Sequence, residues 1–186
     1  MKNNHIKIYL IHILIIILIL LSGCWDSRDV DRRSIVQSVG VDKVDDQIQF
    51  SGEVSRLIGQ QEKNGENTKT PNVYTDLSYG NDFEEARVDY DSKRPYPTFL
   101  GAIRVVVFGR NYARGSIEPY LHRINKFYDY RKTLLTVISR EPPSELFNLN
   151  IEKDISAGFL IEHNIRQMSE KGNSIYSTVG DLLSYT

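Results

Sequence analysis

The chain has 186 residues, with 23 Lys and Arg against 24 Asp and Glu, 40% hydrophobic and 10% aromatic residues. That length holds one or two globular domains, and so balanced a charge argues against nucleic acid, whose binding rests on phosphate neutralisation. The single cysteine, Cys24, excludes an intramolecular disulfide framework and any multi-cysteine zinc or iron-sulfur site.

Residues 8–21 (IYLIHILIIILILL) form an apolar block broken only by Tyr9 and His12. As a helix it would rise about 21 Å at 1.5 Å per residue, short of the roughly 30 Å hydrocarbon core. It therefore reads as the apolar region of a signal peptide. Lys2, His5 and Lys7 precede it as a basic start that stays in the cytoplasm, so the chain that follows is exported. The block closes on Leu21, Ser22, Gly23 and Cys24, which resembles a bacterial lipobox. Small residues before the cysteine let the lipoprotein signal peptidase approach once a diacylglycerol thioether has formed on the sulfur. Residues 1–23 are then a lipoprotein signal peptide, and Cys24, carrying diacylglycerol and a fatty acyl group, is the mature N-terminus. An uncleaved N-terminal anchor is the alternative, and both readings put the protein on the outer side of a cytoplasmic membrane. The remaining 163 residues lose only Lys2 and Lys7, leaving 21 basic against 24 acidic groups.

Residues 24–34 are densely charged without apolar periodicity and read as a stalk. Residues 35–42 and 48–58 predict an antiparallel hairpin around a polar turn at 43–47. In its second arm Ile48, Phe50, Gly52 and Val54 alternate with Gln49, Ser51, Glu53 and Ser55, the pattern of a strand with one wet face. Residues 59–71 contain no apolar side chain and predict a loop. Val73, Thr75, Leu77 and Tyr79 repeat the alternation in a third strand. Asn81 or Asp82 caps a helix running to about Arg94, with Glu84 and Glu85 in its first turn. Residues 102–108 (AIRVVVF) form a β-branched run that predicts a central strand covered on both faces.

A helix follows at 118–128, with Leu121, Ile124, Phe127 and Tyr128 on one side, then a strand at 133–139. Pro142 and Pro143 open a short helix at 144–149. The last long helix, 155–169, places Ile155, Phe159, Ile161 or Glu162, Ile165 and Met168 at helical spacing and closes at Lys171-Gly172. The order of elements predicts a single α+β domain over 35–177, a mixed and mostly antiparallel sheet with helices packed on it. Residues 178–186 begin a helix whose Leu182 and Leu183 would lack cover.

Catalytic signatures are missing. His122 and His163 have no metal-ligand spacing, and no nucleophile-elbow or phosphate-loop glycine pattern occurs. Asp89 and Asp91 lie two apart on a helix and point in different directions. One polar signal stands out: Arg104, Arg110, Arg114, Arg123, Lys126, Arg131, Lys132 and Arg140 face only Glu118 and Asp129 over 104–140, whereas residues 141–186 hold three basic against seven acidic groups. The first seven make a candidate basic face for anionic headgroups or an acidic partner, unless the two segments neutralise each other across the fold.

Together these strings are similar to the Ger(x)C family, the C-subunit lipoproteins of nutrient germinant receptors in endospore-forming bacteria. The resemblance rests on Cys24-Trp25-Asp26, on Ile35-Val36 leading to Gly40-Val41-Asp42-Lys43, and on Phe83-Glu84-Glu85-Ala86. It continues through Arg104 to Gly109 (RVVVFG) and Tyr112-Ala113-Arg114-Gly115. It implies a lipid-anchored, non-enzymatic subunit without cofactor on the outer face of the spore inner membrane. Its implied partners are two integral membrane subunits and the bilayer, with no nucleic acid. Family members continue into further domains, so 178–186 would start a truncated connection. The alternatives are an exported enzyme, which lacks a catalytic constellation, and a solute-binding lipoprotein, which usually needs two lobes around a cleft, more than 163 residues supply.

Overall fold

The computed structural model describes residues 7, 11–13, 33–55, 73–127, 130–149 and 155–185. The lipobox with Cys24, most of the stalk and the 59–71 loop lie outside them. The chain divides into two compact units, Met1–Asp31 and Arg32–Thr186, and the second carries the fold. No described helix is long and apolar enough to cross a membrane.

Strands β1 (Ser34–Val44) and β2 (Gln47–Ser55) form the expected hairpin, paired antiparallel from Val44 and Gln47 up to Ile35 and Ser55. The connection is tighter than the composition implies. Only Asp45 and Asp46 turn, both at positive φ (47° and 64°), the left-handed pair that matches strand twist and that Asp tolerates better than most residues. β3 (Val73–Gly80) adds antiparallel to β2. On the far side of β1 the pairing is parallel, first to the two-residue β4 (Thr98–Phe99) and then to β5 (Val105–Gly109). β1 changes neighbour at a bulge between Val36 and Ser38, where the Gln37 carbonyl accepts from Arg104 N at 2.9 Å. β6 (Leu135–Ser139) is parallel to β5, and β7 (Ser177–Thr178) is antiparallel to β6. The seven-stranded sheet runs β3-β2-β1-β5-β6-β7, with β4 beside β1. It is a mixed sheet in which the longest ladders are antiparallel.

The helices lie on both faces. α1 (Phe83–Ser92), α2 (Arg110–Ala113), α3 (Glu118–Lys126) and α6 (Val179–Leu183) supply Ala86, Tyr90, Tyr112, Tyr120, Leu121, Ile124 and Val179 to one core, together with Val106 and Phe108 of β5. α4 (Pro143–Phe147) and α5 (Ala157–Glu170) build a second core with Val105 and Val107. Alternate residues of β5 thus enter opposite cores and all five are buried, so the β-branched run is central as expected. Each such side chain contributes about 1.5–3 kcal/mol by leaving water. The strand itself starts at Val105 because residues 101–104 turn and lead into it.

Four expectations change. First, β2 has no wet face: Gln49, Ser51 and Glu53 are at most 5% exposed, because α4 and α5, from ninety or more residues later, cover that side. Second, the side of β3 that meets α1 holds Ser78 and Gly80, against whose backbone the Ala86 turn sits, while Tyr79 points outward. Third, α5 does not bury Phe159 or Met168, which are 39% and 48% exposed; Ile161 and Ile165 pack on the second core instead. Its ends are as expected, with Ser156 capping Phe159 N and Gly172 at φ 73° closing the last turn. Fourth, Leu182 and Leu183 are covered. Val179 is fully buried with its N–H on Leu134 O at 2.9 Å, and both leucines pack against the first core.

Candidate functional site

The strings that carry the family resemblance meet at a structural junction. Asp42 is buried at the end of β1 and its Oδ1 accepts from Tyr112 N (3.1 Å) and Lys43 N (2.8 Å). It replaces the cap that Gly109, at the start of α2, cannot provide. A β-carbon at Gly109 would lie 2.0 Å from the Asp42 Cγ, so the approach requires glycine. Gly40 likewise makes room for Pro143 and Phe147 of α4.

Glu53 is a second buried carboxylate. It accepts from Ala157 N (2.5 Å), Gly158 N (3.0 Å) and Ser38 Oγ (2.7 Å). With Ser156 on Phe159 N, the first donors of α5 are satisfied, and the negative charge sits at the positive end of the helix. Both carboxylates are spent on backbone donors and neither is placed for proton transfer to a substrate.

Between α1, α3 and the β1–β2 face lies a cavity of about 420 Å³. Val36, Val39, Phe50, Ser51 and Gly52 line it from the sheet; Tyr90, Tyr120, Phe127 and Tyr130 give it an aromatic wall; Arg87, Asp91, Thr98 and Arg123 add polar groups. Tyr90 is positioned by Arg94, whose guanidinium lies 3.3 Å from the ring centroid while bonding Tyr90 O and, at 2.6 Å, Asp76. Burial pushes the Tyr90 and Tyr120 phenols far above their ordinary range. The Tyr90 hydroxyl has no partner among the described residues, whereas Tyr120 and Tyr130 hydroxyls stand 3.4 Å apart.

The candidate basic residues are dispersed in their roles. Arg104 bonds Glu162 (3.0 Å) and lies over the Phe159 ring; Arg123 bonds Glu84 and lies over Phe127; Arg131 donates to Ile103 O (3.0 Å). Arg110, Arg114, Lys126 and Lys132 are exposed. Neutralisation between segments occurs at Arg104 and Glu162. Asp89 and Asp91 do not converge: Asp89 bonds Lys93 (2.6 Å) and Tyr79 N (3.0 Å), while Asp91 accepts from Thr98 Oγ1 (2.8 Å). His122 sits 3.3 Å from Glu118, and His163 stacks on Phe159. Among the described residues no group of three or more His, Cys, Asp or Glu is placed to hold a metal ion. The sequence pattern gives Arg87 and Tyr90 no role and puts Glu53 on a wet strand face; nothing local sets the three apart.

The buried carboxylates of this domain are used to cap backbone donors, and a partly open amphipathic cavity lies against its sheet. Residues 26–186 match the model of the spore germination protein N-terminal domain, and the chain belongs to that family, the Ger(x)C family. It is similar to the putative spore germination protein YfkR of Bacillus subtilis (strain 168), 26% identical over 141 residues, which are 74% of this chain and 37% of the relative. It is also similar to spore germination protein B3 of the same strain, 23% identical over 136 residues, 73% of this chain and 36% of that protein. The chain thus spans little more than a third of the relatives it matches. No solved structure matches it at a significant level.

Proposed function

We propose that this chain is a lipid-anchored, non-enzymatic subunit of a nutrient germinant receptor, held on the outer face of the spore inner membrane. The observation that carries the reading is the match of residues 26–186 to a spore germination domain, beginning two residues after a lipobox cysteine. Cys24 attaches the domain to the bilayer through diacylglycerol and a fatty acyl group. Two acyl chains suffice for stable anchoring, since each buried methylene contributes about 0.8 kcal/mol. Its partners are the integral membrane subunits of the receptor, and the exposed Arg110, Arg114, Lys126 and Lys132 supply positive charge for anionic headgroups or an acidic partner surface. The capping roles of Asp42 and Glu53 fit a non-catalytic part, because they leave neither carboxylate for chemistry.

Deletion of the gene is expected to impair germination by specific nutrients and to leave germination by agents that bypass receptors intact. Equal loss of both responses would indicate a general envelope or lytic role instead. Cys24→Ala should leave an uncleaved precursor. An unmodified thiol with residues 1–23 intact in the wild-type membrane protein, read by mass spectrometry, would refute the anchor.

A further inference from the structure

We propose that the cavity between α1, α3 and the β1–β2 face binds a small carboxylate with an apolar body, its charged end on Arg87 and its interior end beside Tyr90. This stands apart from the receptor reading and would hold for any role of the domain. The volume, about 420 Å³, lies in the range of small-molecule sites, which are typically apolar with a few placed polar groups. The floor is Val36, Val39 and Phe50 and the wall is aromatic, so the bulk of the occupant is apolar.

Two polar features select its ends. Tyr90 is 8% exposed, and its hydroxyl, seated against Gly52 where both residues line the cavity, has no partner among the described residues. A buried hydroxyl is ordinarily satisfied, and an occupant offering an acceptor or a carried-in water satisfies this one. Arg87 is half exposed, as a residue at the mouth should be; only its Nε engages Glu84, at 3.4 Å, and its terminal nitrogens bond no described residue. The free edge of a guanidinium is the geometry that takes a carboxylate through two parallel bonds. Arg87 (5.8 Å) and Arg123 (4.9 Å) both lie over the ring of Phe127, and all three line the cavity. Arg123 is already paired with Glu84. Asp91 puts a negative charge among the lining residues, which disfavours a polyanion such as phosphate and leaves a single carboxylate as the fitting charge.

The test is isothermal titration calorimetry on the full chain, purified from membranes in detergent, with 3-phenylpropionate and 2-phenylethylamine as matched probes. The carboxylate is expected to bind one to one and the amine at least roughly tenfold more weakly, given the strength of a bidentate arginine pair. L-Phenylalanine and octanoate distinguish an amino acid from a fatty acid as the natural source, and binding of either supports the site. Arg87→Gln should weaken 3-phenylpropionate by about tenfold while leaving the thermal transition in place. If Arg87→Gln fails to melt cooperatively, Arg87→Lys keeps the charge without the fork and should still bind more weakly than wild type. The proposal is overturned if no carboxylate binds at millimolar concentration, if amine and carboxylate bind equally, or if the substitutions at Arg87 leave affinity unchanged.

Discussion

On the face of the sheet that carries Val106 and Phe108, sixteen buried residues from four helices, three strands and two connecting segments form one continuous apolar core, whereas the opposite face gathers only five, Val105 and Val107 among them. The second face makes up the difference with polar keys: Glu53 holds the start of α5 by two backbone bonds and a serine, and Gly158 is small enough to let Ser38 approach. A large apolar face spreads its stability over many side chains, so that no one of them holds a whole helix in place. A small face hung on one carboxylate concentrates it, and removing that group releases a whole helix.

This contrast can be broken outright by Val106→Asp. The fully buried site would hold an unpaired charge, and the expected loss exceeds about 4 kcal/mol, enough to abolish the cooperative urea transition. A soluble, cooperatively folding variant would show that the first face is far looser than its packing. Glu53→Ala is next, at about 3 kcal/mol, because it leaves the Ala157 and Gly158 donors and the Ser38 hydroxyl unsatisfied. Its signature is local: native-state hydrogen exchange should rise in α5 while α1 and α3 stay protected. Uniform acceleration across both faces would erase the distinction between them.

The Asp42 junction offers a smaller effect with a sharper diagnostic. Gly109→Ala should cost about 2 kcal/mol, since the added methyl meets the Asp42 carboxylate. Asp42→Ala should cost about 1 kcal/mol as a lost cap on Tyr112 N. The double substitution should be more stable than the sum of the two, because the clash vanishes with the carboxylate; strict additivity in chemical denaturation would count against it. The smallest effect has the opposite sign. Tyr112 has a buried hydroxyl without a partner among the described residues, so Tyr112→Phe should stabilise by about 0.5–1 kcal/mol. Burial also pushes the Tyr112 phenol from its ordinary 10.0 up to about 12. The folded protein then keeps this proton at pH values where the unfolded chain gives it up. Stability is intact below pH 10 and falls as pH climbs toward 12, and Tyr112→Phe should remove that part of the alkaline decline.

How far the sequence discloses this depends on where each partner sits in the chain. The β1–β2 hairpin, α1 with its Asp82 cap and β5 are legible because alternation, a capping residue and a β-branched run act within a few positions. The burial of Glu53 is not, since the helix that covers it begins at residue 157, and an acid in a period-two strand reads as solvent-facing until that helix is placed. β4 escapes because two residues carry no periodicity. The cavity is invisible for the same reason as Glu53: Arg87, Tyr90 and Phe127 look like ordinary helix residues, and only the tertiary arrangement gives them a common space. Asp42 and Gly109 were legible as strings of a family resemblance, yet their dependence on each other shows only in three dimensions.

The position of Val179 has a kinetic meaning. β1, among the first residues to emerge during synthesis, pairs with β5 some seventy residues later, and the apolar core beside it is sealed only when Val179 docks on Leu134 and Gly180 N reaches Lys132 O at 2.8 Å. Pairings that distant are slow to form and gain little until the loops between them are closed. A nascent chain released before residue 180 would leave Leu134 without that cover. The domain is therefore expected to remain open to unfolding-sensitive handling through nearly all of its translation and to lock in one late step, which pulse proteolysis of stalled chains of increasing length would resolve as an abrupt gain of resistance.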